Sequence, residues 1–413
     1  MISVTEARDL ILSQVQTVGL EKVELLASLG RVLGEDIVAT RNQPPWDNSA
    51  MDGYAVRAID TAAASVAAPR VFTVIERLPA GYRAKNVVGP NQAIRIMTGA
   101  PIPVGADTVI RSEEVEELNG DRFRICKPVR PGTDLRRVGE DHALGENLLG
   151  RGLVIRPAEI GLLASNNRSM ISVFRRPRVA ILSSGDEIAD IDEELGLGKI
   201  VDSNSYSLSA MTLEAGCDPV RLGISPDNRQ DLEDKLHEGV SSDVILTSGG
   251  VSVGEFDFVK EALDALGAAM KFWKVSMTPG RPLAFGRIQN TLTFGLPGNP
   301  VAAMVTFELF VRPALLKMRG CNRLYRRTVR ATLLEDVKKM VGRKQFFRMQ
   351  VMDIKGTLFA RRTGPQGSGI LKSMSLADGL AVTHEAQEII REGEEIEIIL
   401  LGGAWECDQE RSC

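Results

Sequence analysis

After Arg175-Arg176-Pro177 the chain falls into a repeating unit: a short apolar run, a turn rich in glycine, serine, proline or acid, then a stretch with helical spacing. Arg178 to Leu182 runs into Ser183-Ser184-Gly185-Asp186-Glu187, and Pro219 to Ile224 runs into Ser225-Pro226-Asp227. Val244-Ile245-Leu246 leads to Ser248-Gly249-Gly250, and Leu292 to Phe294 leads to Gly295-Leu296-Pro297-Gly298-Asn299-Pro300. Runs that stay apolar instead of alternating belong to strands buried on both faces. Helices are expected over Ser203 to Ala215, Gln230 to Val240 and Val301 to Met318, with one more strand at Phe272 to Val275. Strands alternating with helices predict a doubly wound parallel sheet.

Ligands of such sheets bind outside the carboxyl ends of the strands, where these turns lie. Gly249 and Gly250 permit positive φ and let a ligand approach main-chain N–H groups. A helix beginning near Gly254 to Phe256 would aim its first amides at the same space, which suits an anion. Yet Asp186, Glu187, Asp227, Glu255 and Asp257 all fall at this edge. Any one of them could be a helix cap, but several at one edge point to a shared ligand site. A divalent cation reconciles the carboxylates with an anion, and oxygen donors of this kind suit magnesium.

The whole chain is too long for one core. Its 413 residues exceed the ~250 to 300 at which single domains stop growing. A hydrophobic share of 44% and a charged share of 25% are those of soluble globular proteins, and a net charge of −4 gives no reason to expect nucleic-acid binding. No apolar run reaches spanning length and Met1 to Glu6 has no basic stretch, so no membrane association and a cytoplasmic enzyme are expected. The five cysteines are scattered and the three histidines, His142, His237 and His384, lie far apart, so zinc spacing is absent.

Ser3 and Glu6 form a capping-box pattern ahead of Val4, Ala7, Leu10, Ile11 and Val15, which predicts an opening amphipathic helix. A second short helix is expected around Glu24 to Leu29. The segment Gln43 to Val56 has two prolines and three aromatic or sulfur anchors, Trp46, Met51 and Tyr54, and forms either a packed interdomain loop or part of a site. Short β-type runs follow at Phe72 to Ile75, Ala93 to Met97, Thr108 to Ile110 and Phe123 to Ile125. Arg136-Arg137 is either a solvated face or an anion clamp. Beyond Leu324 the texture is β again, at Arg327 to Leu333, Phe346 to Val351, Leu380 to Thr383 and Ile396 to Leu401, which predicts a barrel-like domain.

Seven stretches together carry a resemblance. They are Asp47-Asn48-Ser49-Ala50-Met51-Asp52-Gly53-Tyr54-Ala55, Met97-Thr98-Gly99-Ala100-Pro101, Gly139-Glu140-Asp141, Ser184-Gly185-Asp186-Glu187, Ser248 through Gly254, Pro279-Gly280-Arg281-Pro282 and Leu296-Pro297-Gly298-Asn299-Pro300. With these, in this order over nearly the whole chain, the sequence resembles the bacterial MoeA-type molybdopterin molybdenumtransferases, relatives of the gephyrin E domain.

The resemblance implies a multidomain α/β plus β subunit. Its parts would be a discontinuous linker domain (1–45 and 138–176), an inserted β domain (46–137), a molybdopterin-binding α/β domain (177–322), a C-terminal β domain (323–404) and a tail (405–413). It also implies a homodimer with the active site between subunits, and an Mg2+-assisted reaction in which molybdenum from molybdate enters adenylylated molybdopterin and AMP leaves. Molybdopterin adenylyltransferase and molybdoenzyme chaperones are the partners it implies.

Carried over by position, Asp52, Thr98, Asp141, Glu187, Asp227 and Asp257 would be catalytic. Ser184, Gly185, Asp186, Ser248, Gly249, Gly250, Ser252, Pro297 and Pro300 would bind the pterin adenylate, and Asp186, Glu187, Asp227 and Asp257 would hold the metal. Lys274, Thr278, Arg281, Arg348 and Ser368 would bind the oxyanion, since a desolvated dianion needs charge-assisted donors. One departure stands out: where many relatives have Lys-Pro-Gly-Lys, this chain has Thr278-Pro279-Gly280-Arg281. Two other activities stay open, a molybdopterin adenylyltransferase and a non-catalytic scaffold of the gephyrin kind.

Overall fold

The computed structural model describes residues 1–250 and 258–402. The opening helix is Val4–Gln14, started by a complete capping box: the Glu6 N–H donates to Ser3 Oγ at 3.1 Å and the Ser3 N–H donates to the Glu6 carboxylate at 2.8 Å. Although it falls in the segment expected to be linker, this helix buries Val4, Ala7, Ile11 and Val15 in the same core as Val179, Leu283 and Val311. Its apolar face is completed by the α/β domain, against the helical run that includes Phe307–Val311 and Arg312–Met318.

The expected second helix is not there. Leu20–Glu24 is a strand paired antiparallel with Met170–Phe174, and only a single 3-10 turn, Leu26–Ser28, follows. Pairing between segments about 150 residues apart overrides the local helical preference. With the helix Pro157–Ser165 this ladder encloses a small core of Leu33, Ile37, Leu163 and Ile171.

Between these two segments lies a mixed six-stranded sheet, in the order Thr108–Arg111, Gly53–Val56, Gln92–Ile96, Arg70–Leu78, Arg122–Ile125 and Glu116–Leu118. Tyr54 stacks obliquely on Phe123 at 4.1 Å between ring centres, so this anchor of the proline-rich segment is core, whereas Trp46 is 45% exposed.

The α/β sheet has four parallel strands, Asp218–Ser225, Arg178–Ser184, Val244–Ser248 and Thr291–Leu296 in spatial order. Successive residues serve opposite cores: Val179 and Ile181 pack with Leu208 and Val301, while Ala180 and Leu182 pack with Leu236 and Val259. Helices therefore cover both faces, as a doubly wound sheet requires. The sheet is not parallel throughout. Pro282–Ile288 turns back on Thr291–Leu296 through Gln289, at φ 52°, and Phe272–Lys274 adds a second antiparallel pairing, against Pro282–Ile288. A connection this tight can only make a hairpin, because a parallel neighbour needs a crossover of a dozen residues. The last helical run covers residues 300–318 but has a π-helical turn, Phe307–Val311, just before Pro313, whose missing N–H breaks the regular ladder.

Lys344–Ile354 pairs with Thr357–Arg362, then Thr328–Leu333, Glu395–Leu400 and Gly379–Val382 follow, and the last pairs back on the first: the C-terminal strands close into a barrel. Met277–Thr278 joins this barrel in parallel with Lys344 and Gln345. The Thr278 loop of the α/β sheet is thereby stitched to the C-terminal domain. Among the described residues no helix is long and apolar enough to cross a membrane.

Candidate active site

An open cleft of about 1070 Å3 lies over the carboxyl ends of the parallel strands. Its floor is made by the three junctions Ser183-Ser184-Gly185, Ser248-Gly249-Gly250 and Pro297-Gly298-Asn299-Pro300, with Asp202-Ser203-Asn204 at a helix start beside them. Thr278 and Arg281 form one wall, and Met340, Arg343, Gln366 and Ser368 enter from the barrel. Two glycines are sterically required. Gly249, at φ +95°, would put a Cβ 2.5 Å from the Ser184 carbonyl oxygen, and Gly250, at φ +63°, would put one 2.3 Å from Val259.

Asn204 ties the junctions together: its Nδ2 donates to Ser248 Oγ and to the Gly298 carbonyl, both at 2.7 Å. Around it, Ser183 Oγ, Ser184 Oγ, Asp202 Oδ2 and Asn204 Oδ1 are buried with no partner among the described residues. Buried polar atoms left unpaired are costly, so this set is suited to a polar ligand that supplies the missing bonds.

Acids crowd one end. Glu187 and Asp227 line the cleft, and Asp186 lies behind them with its Oδ1 accepting the Asp227 N–H at 3.1 Å. Burial, then repulsion from Asp186 and Glu187, pushes the Asp227 carboxyl above the usual aspartate range. The nearby ammonium of Lys199 is spent on the Asp186 carbonyl oxygen. Among the described residues no three of His, Cys, Asp and Glu are arranged to hold a metal, so Asp186, Glu187 and Asp227 do not by themselves form the expected ligand cage. Asp257, and with it Ser252 and Glu255, lies outside the described residues.

The expected residues of the N-terminal segment do not line this chain's cleft. Asp52 Oδ1 accepts both the backbone N–H and the hydroxyl of Thr98, at 2.7 and 2.8 Å, which holds its exposed carboxyl below the usual range. Asp141 Oδ2 lies 2.9 Å from Nδ1 of the buried His142. Arg137 does not act as a free clamp, because it pairs with Asp47 at 2.6 Å.

Comparison with known proteins now gives three matches along the chain. Residues 2–166 match a profile described as MoeA N-terminal region (domain I and II), residues 180–317 a probable molybdopterin binding domain, and residues 330–401 MoeA C-terminal region (domain IV). A molybdopterin molybdenumtransferase of Nostoc sp. is 35% identical, covering 92% of this chain and 88% of that protein. The Haemophilus influenzae protein of the same name is 34% identical over 96% of this chain and 98% of its own. The chain belongs to the MoeA family. A solved family structure, the molybdopterin biosynthesis moeA protein from Pyrococcus horikoshii, superposes with a TM-score of 0.85 at 33% identity, covering 97% of this chain and all of the other.

The cleft floor of this MoeA-family chain is thus made by the stretch that matches the molybdopterin binding domain. The five expected oxyanion residues separate into two groups. Thr278, Arg281 and Ser368 line the cleft. Lys274 and Arg348 do not, and Arg348 is nearly inaccessible, at 1% exposure. Its Nε donates to Ser373 Oγ at 3.1 Å and its Nη2 to the Gly367 carbonyl at 3.0 Å, while its backbone N–H donates to Gln366 Oε1 at 2.9 Å. Burial without a carboxylate partner pushes this guanidinium down to about 10. Arg348 braces, from behind the cleft wall, the loop that delivers Gln366 and Ser368.

The sequence reading passed over Asp202, Asn204, Arg343 and Gln366. The first two had a signal. Asp202-Ser203-Asn204 follows the strand Ile200–Val201 and opens a helix, with Asp202 Oδ1 accepting the Ser205 N–H at 3.0 Å as an N-cap. Arg343 and Gln366 had none, because they lie in connecting segments of the C-terminal barrel, which the Thr278 pairing brings to the cleft.

Proposed function

We propose that this chain inserts molybdenum from molybdate into adenylylated molybdopterin and releases AMP. The observation that carries this is the cleft of unpaired buried polar atoms at the glycine junctions, lying inside the segment that matches a molybdopterin binding domain. It is large enough for a nucleotide-sized ligand. Gly249 and Gly250, Ser184, Ser248 and Asn204 would hold the phosphates through backbone amides, hydroxyls and an amide, with Gly185, Pro297 and Pro300 shaping the walls and Ser252 adding a hydroxyl.

Magnesium fits the donor set. Asp186, Glu187 and Asp227 present hard oxygen donors, and their crowding around a carboxyl already displaced upward is relieved by a cation. With Asp257 they would hold an ion that keeps several waters, as magnesium does, and that ion would offset charge on the phosphate of the departing AMP. Arg281 and Ser368 would meet molybdate directly, with Thr278 beside them, while Arg348 would position the Ser368 loop and Lys274 would contribute its charge from outside the cleft lining. Asp52, Thr98 and Asp141 would act on the cleft of a second subunit, which makes the working unit a homodimer. A cytoplasmic enzyme that receives substrate from an adenylyltransferase and passes product to molybdoenzyme chaperones completes the reading.

The deciding experiment offers the purified protein adenylylated molybdopterin with and without molybdate and Mg2+. AMP released only when molybdate is present supports insertion. Consumption of ATP and molybdopterin with release of pyrophosphate would select the adenylyltransferase reading, and inertness toward both would select a scaffold.

A further inference from the structure

We propose that His142 is a positioning residue for this reaction: a neutral, buried imidazole that fixes one oxygen of the Asp141 carboxylate and leaves the other available. The inference rests on the reading of Asp141 as a site residue.

The tautomer follows from a chain of obligate donors and acceptors. A backbone N–H only donates, and the Thr40 N–H meets Asn166 Oδ1 at 3.3 Å, so the amide oxygen of Asn166 is on that side. A carbonyl only accepts, and the Leu162 oxygen meets Asn166 Nδ2 at 3.1 Å, which fixes the same orientation independently. That Nδ2 faces His142 Nε2 at 3.2 Å. An amide nitrogen is a donor only, so Nε2 must offer its lone pair, and the single ring proton sits on Nδ1, 2.9 Å from Asp141 Oδ2. A doubly protonated ring would set its Nε2–H against the Asn166 amide. His142 and Asn166 are each 2% exposed, so water does not compete for these bonds.

The backbone is held as firmly. The Asp141 N–H donates to the Gln43 carbonyl at 2.8 Å and the Gln43 N–H donates to the His142 carbonyl at 2.9 Å. Asn166 caps the end of the helix Pro157–Ser165, so the ring is referenced to a rigid element. Asp141 Oδ1 takes no hydrogen bond from the described residues, and the side chain is 64% exposed.

A neutral donor has a consequence that a cation would not. Asp47, gripped by Arg137, has its charge offset where it stands. Asp141 is oriented by an uncharged group and has no Lys or Arg partner among the described residues. Asp52 is held in the same manner, its Oδ1 taking both Thr98 donors while Oδ2 takes none from the described residues. Asp52 and Asp141 thus share one arrangement: a neutral tether on one oxygen and a second oxygen with no donor among the described residues.

The test has two arms on the full-length protein. With only three histidines in the sequence, nitrogen NMR of the 15N-histidine-labelled protein resolves each ring, and loss of one set in His142→Asn assigns it. The Nδ1–H tautomer is expected at neutral pH; an Nε2–H tautomer or a charged ring overturns the proposal without any variant. In molybdate-dependent AMP release, His142→Leu is expected to lower kcat by about 10-fold to 100-fold with KM nearly unchanged. His142→Asn, which keeps a donor where Nδ1 stands, should recover most of this, and His142→Gln, whose donor stands at Nε2, should not. If Asp141→Asn is fully active, the reading of Asp141 itself is wrong. If Asp141→Asn is crippled while His142→Leu matches the wild type, or if the Gln variant rescues as well as the Asn variant, Asp141 acts without His142 and the proposal falls.

Discussion

Asp227 and Asp52 are both reachable aspartates assigned to one reaction, but their surroundings push them in opposite directions. Asp227 is half-buried beside Asp186 and Glu187, and both burial and those neighbours oppose its charge. Asp52 is exposed and accepts two hydrogen bonds from Thr98, which favour its charge. The strand-end cleft is therefore an incomplete electrostatic arrangement, one that an added cation or cationic group relieves. The N-terminal acid is complete as it stands. Residues whose environment is unfavourable until a ligand arrives are where function is traded against stability.

The largest effect should come from removing the unfavourable side. Asp227→Asn and Glu187→Gln are expected to lower molybdate-dependent AMP release by about 100-fold or more, since one electrostatic contact in a transition state is worth that much. Neither should lower the melting temperature, because neither carboxylate has a cationic partner among the described residues and burial and repulsion outweigh the one backbone hydrogen bond to Asp227. Calorimetry run beside the assay decides between this and simple helix capping, for which melting would fall and activity would track the folded fraction.

Complementation sharpens the same contrast. If the two kinds of acid serve one site from different subunits, inactive Asp52→Asn and inactive Asp227→Asn dimers, dissociated and reassociated together, should regain about a quarter of wild-type activity, because half the dimers are mixed and each mixed dimer has one intact site. No recovery, with mixed dimers verified by mass spectrometry, would place both acids in a site within one subunit.

The wall opposite the acids gives a smaller effect. Arg281 lines the cleft and has no side-chain partner among the described residues, so Arg281→Ala should raise the molybdate needed for half-saturation by about 10-fold, the size of a charge-assisted contact. Thr278→Lys should lower that requirement by a comparable factor. Titration against molybdate and tungstate in parallel checks both, and unchanged half-saturation across the set would remove this loop from oxyanion binding.

The part of the fold legible in the sequence was the part specified locally. Ser3 and Glu6 announce their helix within four residues, and the buried strands Arg178–Ser184 and Val244–Ser248 are apolar runs ended by glycine turns. The hairpin at Gln289 was not legible, because its turn carries no glycine and its first strand begins with Pro282. Nor was the strand Leu20–Glu24, whose partner is far along the chain. The site divides in the same way. Ser184, Gly249 and Pro297 sit where strand ends put them, whereas Arg343 and Gln366 are brought in by a barrel that only long-range pairing closes. Arg348 was legible as a needed cation but not as a buried brace, since its surroundings come from a loop about twenty residues later.

The smallest effect tests the opening contrast through its sign. Asp52 has a folded-state pKa below its ordinary 3.8, so the stability it contributes is present above that value and is lost as pH falls through the folded pKa. Asp227 has a folded-state pKa above 3.8, so its favourable contribution is present below that value and is lost as pH rises through the folded pKa. At neutral pH, then, Asp52→Asn should melt slightly below the wild type and Asp227→Asn slightly above it. Asparagine resembles a protonated aspartate, so the three melting curves should converge as pH is lowered past the ordinary aspartate range. Both shifts are small because both carboxylates reach solvent, where such interactions are weak. Their opposite signs are what matter. Added magnesium supplies the last control: if it relieves the cleft acids, it should raise the melting temperature of the wild type more than that of Asp227→Asn, and leave the gap between wild type and Asp52→Asn unchanged. Equal shifts of one sign in both variants would mean that the two acids are held alike.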